Sequence, residues 1–301
     1  MGKVAYGIDI GGTSIKFGLF NSEGVRLITK FERDTPKTNQ QTTVLERVYQ
    51  TIVETNKLYG YNEEDIDGIG LAVPCPVKNG VVNACANIKW KNIDIRQKLA
   101  DKFDNRIHVV VSNDANIAAY GENASLEIPF HNAIVITLGT GVGSGIILNG
   151  EILEGSTGMG GEVGHMHIYD GPIETCGCGA KGCLEQMCAA KGMTSYALDL
   201  SKEMTTSINL DQVTVKDIFE AAKLGDSLCL KVVDRAADYL GKAASIIALT
   251  IDPDAFIIGG GISKAGHFFL SKIQKAYQQY ARFSTGNKPF LLAKTGNDAA
   301  G

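Results

Sequence analysis

No stretch of the 301 residues approaches the roughly 20 continuous apolar residues of a membrane-spanning helix. The opening Met1-Gly2-Lys3 runs straight into an apolar strand, without the charged, apolar and small-residue regions of a secretion signal. A basic excess is missing too: 29 Lys and Arg stand against 33 Asp and Glu, for a net charge of -4, so the chain carries no overall footprint for nucleic acid or an anionic membrane. No low-complexity linker interrupts it. None of its glycine turns matches the P-loop or a dinucleotide fingerprint in a strand-to-helix setting. These absences leave a soluble protein, expected in the cytoplasm, with neither nucleic acid nor membrane as partner.

A content of 44% hydrophobic and 21% charged residues over this length supports more than one core, so two domains are expected, 1–116 and 117–301, with a compact junction near Asn116. Val4 to Ile10, Ile15 to Phe20 and Val25 to Phe31 are rich in β-branched and aromatic residues, and the polar turns between them predict an antiparallel meander. From Asn132 the pattern returns as Ala133 to Leu138, Gly139-Thr140-Gly141, Val142 to Leu148 and a turn at Asn149-Gly150. Such an internal duplication predicts an α/β protein of two similar halves facing each other across a cleft.

Between the two meanders, Leu45, Val48, Tyr49, Ile52 and Val53 recur at helical spacing between Thr43 and Tyr59. Gly68 to Val73 reads as a buried strand closed by Pro74 and Pro76, and Ile93 to Phe103 as a second helix. His108 to Val111 is a strand ending in Ser112-Asn113-Asp114, with a helix from Ala115. Lys191 to Arg282 is mostly helical, with one long buried helix through Val232 to Ala248. The strand Ala255 to Ile258 interrupts it and closes on Gly259-Gly260-Gly261.

Asp9-Ile10-Gly11-Gly12-Thr13 lies where a strand reverses. Turns without side chains let backbone N–H groups and the Thr13 hydroxyl approach phosphate oxygens, and Asp9 is placed to hold Mg²⁺. An ordinary tight hairpin has the same composition, but Gly139-Thr140-Gly141 repeats the turn in the second half and Gly259-Gly260-Gly261 adds a third glycine cluster. Asp114 falls at the carboxyl end of a strand, where open α/β sheets place their ligands, and a carboxylate there can accept the proton of an attacking alcohol. The competing reading is that Asn113 or Asp114 caps the following helix.

His165, Cys176, Cys178 and Cys183 have the spacing of a tetrahedral site with no open position, which points to structural zinc over a redox cysteine pair. Three cysteines so close together also fit a reducing compartment better than disulfides. Cys75, Cys85, Cys188 and Cys229 sit among apolar or small residues and read as buried hydrophobes. His167, two residues beyond His165, would point to the opposite face of a strand.

Taken together, these motifs resemble the ROK family of sugar kinases and repressors, in the superfamily of actin and hexokinase. The resemblance covers nearly the whole chain. It is carried by Asp9 to Thr13, Asn113-Asp114-Ala115-Asn116, Gly139-Thr140-Gly141, Gly161-Glu162-Val163-Gly164-His165 and the run from Cys176 to Glu185. It implies a two-domain actin-like, ribonuclease H-like fold with an interdomain cleft. It further implies ATP on Asp9, Gly11, Gly12, Thr13, Gly139, Thr140, Gly141, Gly259, Gly260 and Gly261, and Asp114 as the base. Asn87, Asn113, Asp114, Glu162, His165 and Glu185 would contact a hexose, with His165 also a zinc ligand. The implied reaction is ATP- and Mg²⁺-dependent phosphorylation of a free hexose, glucose at its 6-hydroxyl first, by a homodimer or tetramer.

Three features depart from the family. Pro74-Cys75-Pro76 stands where Pro-Gly-Pro is common, close to the implied sugar pocket, which keeps N-acetylmannosamine, allose and fructose open as substrates. Gly143-Ser144-Gly145 replaces an all-glycine run, read as a mild change. Gly296 to Gly301 resembles the start of a closing helix, which raises the expectation of a truncated carboxyl end. A sugar-responsive repressor of the same family is the other class. The helix-turn-helix that such repressors carry would precede the first phosphate turn, and here Asp9 is only the ninth residue.

Overall fold

The computed structural model describes residues 2–23, 26–37, 41–85 and 90–294. Asn87 and the Gly296 to Gly301 segment lie outside the described residues. The chain divides into two compact units. Among the described residues the first runs to Ala118 and takes in Glu154–Gly160; the second comprises Ala119–Leu153 and those from Gly161 to Lys294. The division thus falls inside a helix, and Glu154–Gly160, expected in the second domain, belongs to the first unit.

In the first unit, strands β1 (Val4–Ile10), β2 (Ser14–Asn21), β3 (Arg26–Asp34), β4 (Ile66–Val73) and β8 (His108–Asn113) form a sheet ordered β3-β2-β1-β4-β8. β3, β2 and β1 are antiparallel, whereas β1, β4 and β8 run parallel. Val4, Tyr6, Ile8 and Ile10 alternate into the core, as a half-buried strand requires. Helix α1 (Gln41–Tyr59) buries Val44, Leu45, Val48 and Ile52 in the same core. The Tyr6 hydroxyl donates to Asn56 Oδ1 on α1 at 2.7 Å, so the one polar atom of that buried ring is satisfied.

A three-stranded sheet of β5 (Val77–Lys78), β6 (Val81–Ala84) and β7 (Lys91–Asp94) was not foreseen. It shortens the expected helix over 93–103. Lys91–Asp94 pairs with β6, and helix α2 begins only at Ile95, ending at Asp101, with the Asp94 carboxylate capping it through Gln97 N–H at 2.8 Å. A second correction concerns Cys75 and Cys85. Both are buried, as read, but they are joined as a disulfide with Cα atoms 5.0 Å apart. The bend after β4 and the end of β6 bring them together, which sequence spacing does not reveal.

Helix α3 (Asp114–Ala124) leads into the second unit, whose strands β9 (Ala133–Leu138), β10 (Val142–Leu148), β11 (Glu151–Ile152), β12 (Ala255–Gly259) and β13 (Phe290–Leu292) are ordered β11-β10-β9-β12-β13. Again three strands are antiparallel and three parallel, sharing the middle one. The duplication read from the meanders therefore extends to both five-stranded sheets, the arrangement of the actin-like fold. Helices α4 (Leu184–Cys188), α5 (Ala190–Leu200), α6 (Val215–Lys223), α7 (Ser227–Ile251) and α8 (His267–Tyr280) supply most of the second core, in which Cys188 and Cys229 are buried as expected. α7 carries an unbroken buried stripe from Leu228 to Ala248. No helix among the described residues is long and apolar enough to cross a membrane.

Candidate active site

In the first unit, β1, β4 and β8 are neighbours and parallel, with Asp9 paired to Ala72 and Val73 to Asn113. Their carboxyl ends thus bring three segments to one edge of the sheet: the turn after Ile10, the bend at Pro74-Cys75-Pro76, and Asn113-Asp114. This is the edge where parallel sheets receive ligands. The turn is held from outside itself. Gly11 N–H donates to Ser14 O at 2.9 Å, Thr35 Oγ1 donates to Gly11 O at 2.7 Å, and Thr35 N–H donates to Thr13 O at 3.0 Å. Burial pushes the Asp9 carboxyl above its ordinary range, and Lys16, 3.9 Å away, pulls it back. A cation arriving beside it would favour the charged form.

The capping reading of the Asn113-Asp114 pair is met at Asn113. Asn113 Oδ1 accepts from Ala115 N–H at 2.9 Å and Asn116 N–H at 3.2 Å, so it does cap α3. Its Nδ2 donates to the Cys75 carbonyl at 3.2 Å. Asp114 Oδ1 accepts from Ala115 N–H at 2.8 Å, fixing the carboxylate at the first turn of α3, half-buried at the sheet edge. Asn116 is 2% exposed, and its Oδ1 is the one buried side-chain oxygen without a hydrogen-bond partner among the described residues.

In the second unit the turn at Gly139-Thr140-Gly141 follows β9 and is closed by Gly139 N–H to Gly141 O at 3.0 Å. The Gly259-Gly260-Gly261 cluster follows β12, which runs parallel to β9 with Gly259 paired to Thr137. The two clusters therefore sit side by side at one sheet edge. Gly260 has φ 81°, and a Cβ there would strike the Leu138 carbonyl, so only glycine fits.

Glu185, expected as a sugar contact, reaches this turn: its Oε2 accepts from Val142 N–H at 3.1 Å. A Cβ on Gly141 would overlap the same carboxylate. Its Oε1 lies 3.6 Å from Cys176 Sγ. Glu185 thereby joins the glycine turn to the cysteine cluster.

His165, Cys176, Cys178 and Cys183 have ligand atoms all within 4.8 Å of one another. His165 Nδ1 is 3.8 Å from Cys176 Sγ, and Cys178 Sγ is 3.6 Å from Cys183 Sγ. Zn–S bonds of about 2.3 Å in a tetrahedron separate sulfurs by about 3.8 Å, so the cluster has the dimensions of a structural site. Burial pushes the Cys183 thiol up to about 12 and raises that of Cys176, whereas the Ala180 backbone heads the influences that lower that of Cys178. Cys176 and Cys183 are buried and Cys178 is exposed, and a cation in such a cluster would favour the thiolates. The other His165 nitrogen, Nε2, lies 4.0 Å from Glu162 Oε2, so the ring presents one nitrogen to the cysteines and the other to a carboxylate. His167 stands outside the cluster, as read, and bonds Lys181 O at 2.8 Å and Asp170 at 2.9 Å.

Three residues that hold these groups were missed. The hydroxyl of Ser144 donates to Gly161 O, and Val163 N–H reaches it at 3.3 Å, tying β10 to the loop that bears Glu162 and His165. Thr35 braces the first turn and Lys16 faces Asp9. A single buried threonine just after β3 and a lysine carry no local signal. Ser144 stood out in its glycine run but was read as mild.

Comparison with known proteins shows the family of the chain. A family model described as "ROK family" matches residues 5–301. A glucokinase of Halalkalibacterium halodurans is 36% identical, over 97% of this chain and 91% of its own. A xylose repressor of Caldicellulosiruptor bescii is 28% identical, over 91% of this chain and 69% of its own. Among solved structures, a ROK family glucokinase from Streptomyces griseus in complex with glucose and AMPPNP superposes with a TM-score of 0.74 at 28% identity, over 99% of this chain and 96% of its own.

Proposed function

This chain belongs to the ROK family, and on that premise we propose that it transfers the γ-phosphoryl group of ATP to a free hexose, glucose at the 6-hydroxyl first. The observation that carries the reading is the placement of Asp114: a carboxylate at the carboxyl end of β8, on the sheet edge that also bears the first glycine turn. The Asp114 carboxylate takes the proton of the attacking hydroxyl as its oxygen bonds to the γ-phosphorus. The bond from that phosphorus to the β–γ bridging oxygen breaks, and ADP leaves with the electron pair.

The N–H groups and Thr hydroxyls of the paired turns, with Gly259-Gly260-Gly261, suit the phosphates. Mg²⁺, when bound, neutralises charge on the phosphates, and Asp9 is the carboxylate placed to hold it. Asn113, Glu162, His165 and Glu185 offer donors and acceptors to a hydroxyl-dense ligand. A mismatched epimer would leave one such group unpaired, at about 1–3 kcal/mol. Zinc on His165, Cys176, Cys178 and Cys183 would fix the His165 ring so that Nε2–H faces the ligand side. The family resemblance adds a homodimer or tetramer, which sedimentation would read directly.

Glucose is favoured by the 36% identical glucokinase and by the glucose complex of the Streptomyces griseus enzyme. The xylose repressor keeps a regulator as the second reading. A coupled ADP-release assay with ATP·Mg²⁺ separates them across glucose, mannose, fructose, allose, N-acetylglucosamine and N-acetylmannosamine. Glucose leading in kcat/KM supports the proposal, a different leader corrects the substrate, and sugar binding without turnover of any member points to the regulator.

A further inference from the structure

We propose that the Cys75–Cys85 disulfide is a positioning cross-link for Asn113, and that its thiol–disulfide state sets the affinity of the chain for its sugar while leaving the chemical step intact. The inference rests on the reading of Asn113 as a sugar contact.

Asn113 is held at two ends. Its Oδ1 is fixed by two N–H groups of α3, and its Nδ2 by the carbonyl of Cys75. The first anchor is helix backbone. The second belongs to a bend between Pro74 and Pro76, neither of which has an N–H to donate. Within the bend, Cys75 N–H closes on Val73 O at 2.8 Å. The sulfur bridge is the covalent tie from this bend to the end of β6, where Cys85 N–H donates to Trp90 O at 2.9 Å.

Reduction exchanges the bridge with a small-molecule thiol. Two R–SH supply two electrons and two protons, the S–S bond is replaced by two protein thiols, and R–S–S–R leaves. Two unbonded thiols need more room than a bonded pair, so the Cys75 carbonyl moves and the Asn113 amide loses its second anchor. Asp114 Oδ1 is held by Ala115 N–H at the first turn of α3, a tie that does not pass through Cys75. Affinity and turnover should therefore separate. Cys75 is 1% and Cys85 6% exposed, so exchange proceeds through local opening and is slow.

The test equilibrates the full chain for hours in glutathione or dithiothreitol buffers spanning the redox range. Alkylation and peptide mass report the pair, and emission of Trp90, the single tryptophan, reports its surroundings independently of activity. The expected result is a reversible 75–85 cross-link and a Trp90 response. Weakening one neutral hydrogen bond should raise sugar KM by about 2- to 10-fold with kcat nearly unchanged. Cys85→Ser should behave as the reduced chain in every buffer.

Free thiols at both positions in all buffers would overturn the proposal. So would a reversible cross-link that leaves KM unmoved. If the chain turned over no sugar, the thermal shift induced by glucose in the two redox states replaces KM. The kinase reading then fails by itself, and equal shifts sink the cross-link's role.

Discussion

Replacing Ser144 by alanine removes one oxygen and tests how the Glu162–His165 loop is held. The hydroxyl is buried, gives its proton to Gly161 O and receives Val163 N–H at 3.3 Å. Two buried backbone groups would each cost about 1–3 kcal/mol if left unpaired. They are not left wholly unpaired, because Val163 N–H also reaches Gly161 O at 2.7 Å. The net loss is then close to that of one good hydrogen bond, about 1–2 kcal/mol, because one contact, spanning only two residues, remains. A two-unit chain gives no single unfolding free energy, so the effect is best read locally, by hydrogen exchange of the Val163 amide. At about 1.4 kcal/mol per factor of ten, exchange should quicken roughly 5- to 30-fold, with little change in α8. Unchanged exchange at Val163, or equal acceleration everywhere, would refute the tether.

Other perturbations separate the parts of the site. Stripping zinc, with metal loss verified, should lower thermal stability and speed exchange from Glu162 to Glu185, because binding energy at such a site is folding energy; a metal-free chain of full stability would contradict it. Glu185→Gln keeps an acceptor for Val142 N–H, so it should raise sugar KM while sparing ATP KM, whereas Glu185→Ala should raise both; identical ATP KM values in the two variants would deny Glu185 its hold on the turn. Asp226 caps α7. Burial pushes its carboxyl up, but the N–H groups of Cys229 and Ser207 and the hydroxyls of Thr206 and Ser207 outweigh this and hold it well below its ordinary range. A depressed folded pKa means the stabilisation is present above the unfolded value near 3.8 and is lost as pH falls below it. Asp226→Ala should cost about 0.5–2 kcal/mol at neutral pH, and the gap from the parent should narrow below pH 4; a gap that stayed constant into acid would show that the carboxylate charge is not what stabilises α7.

The duplicated meanders were legible because strand alternation and turn chemistry are local, and so was the His165–Cys183 cluster, whose four side chains lie in one short stretch of chain. Asp114 could be placed because a β-branched run ends just before it. What escaped depends on partners far apart in sequence. Glu185 meets Val142 across 43 positions, Thr35 meets Gly11 across 24, and Asn113 meets Cys75 across 38. The β5–β7 sheet escaped because strands of two to four residues are too short for a period to register. Cys75 and Cys85 looked like single apolar positions, since burial and pairing demand the same surroundings.

The central claim is that Asp114 acts as the base of a sugar kinase, and single-turnover transfer from ATP to glucose, with nucleotide and sugar affinities measured separately, tests it most directly. Asp114→Asn should bind both ligands nearly as the parent does and transfer about 10²- to 10⁴-fold more slowly. Transfer at the parental rate with affinities intact would contradict the account.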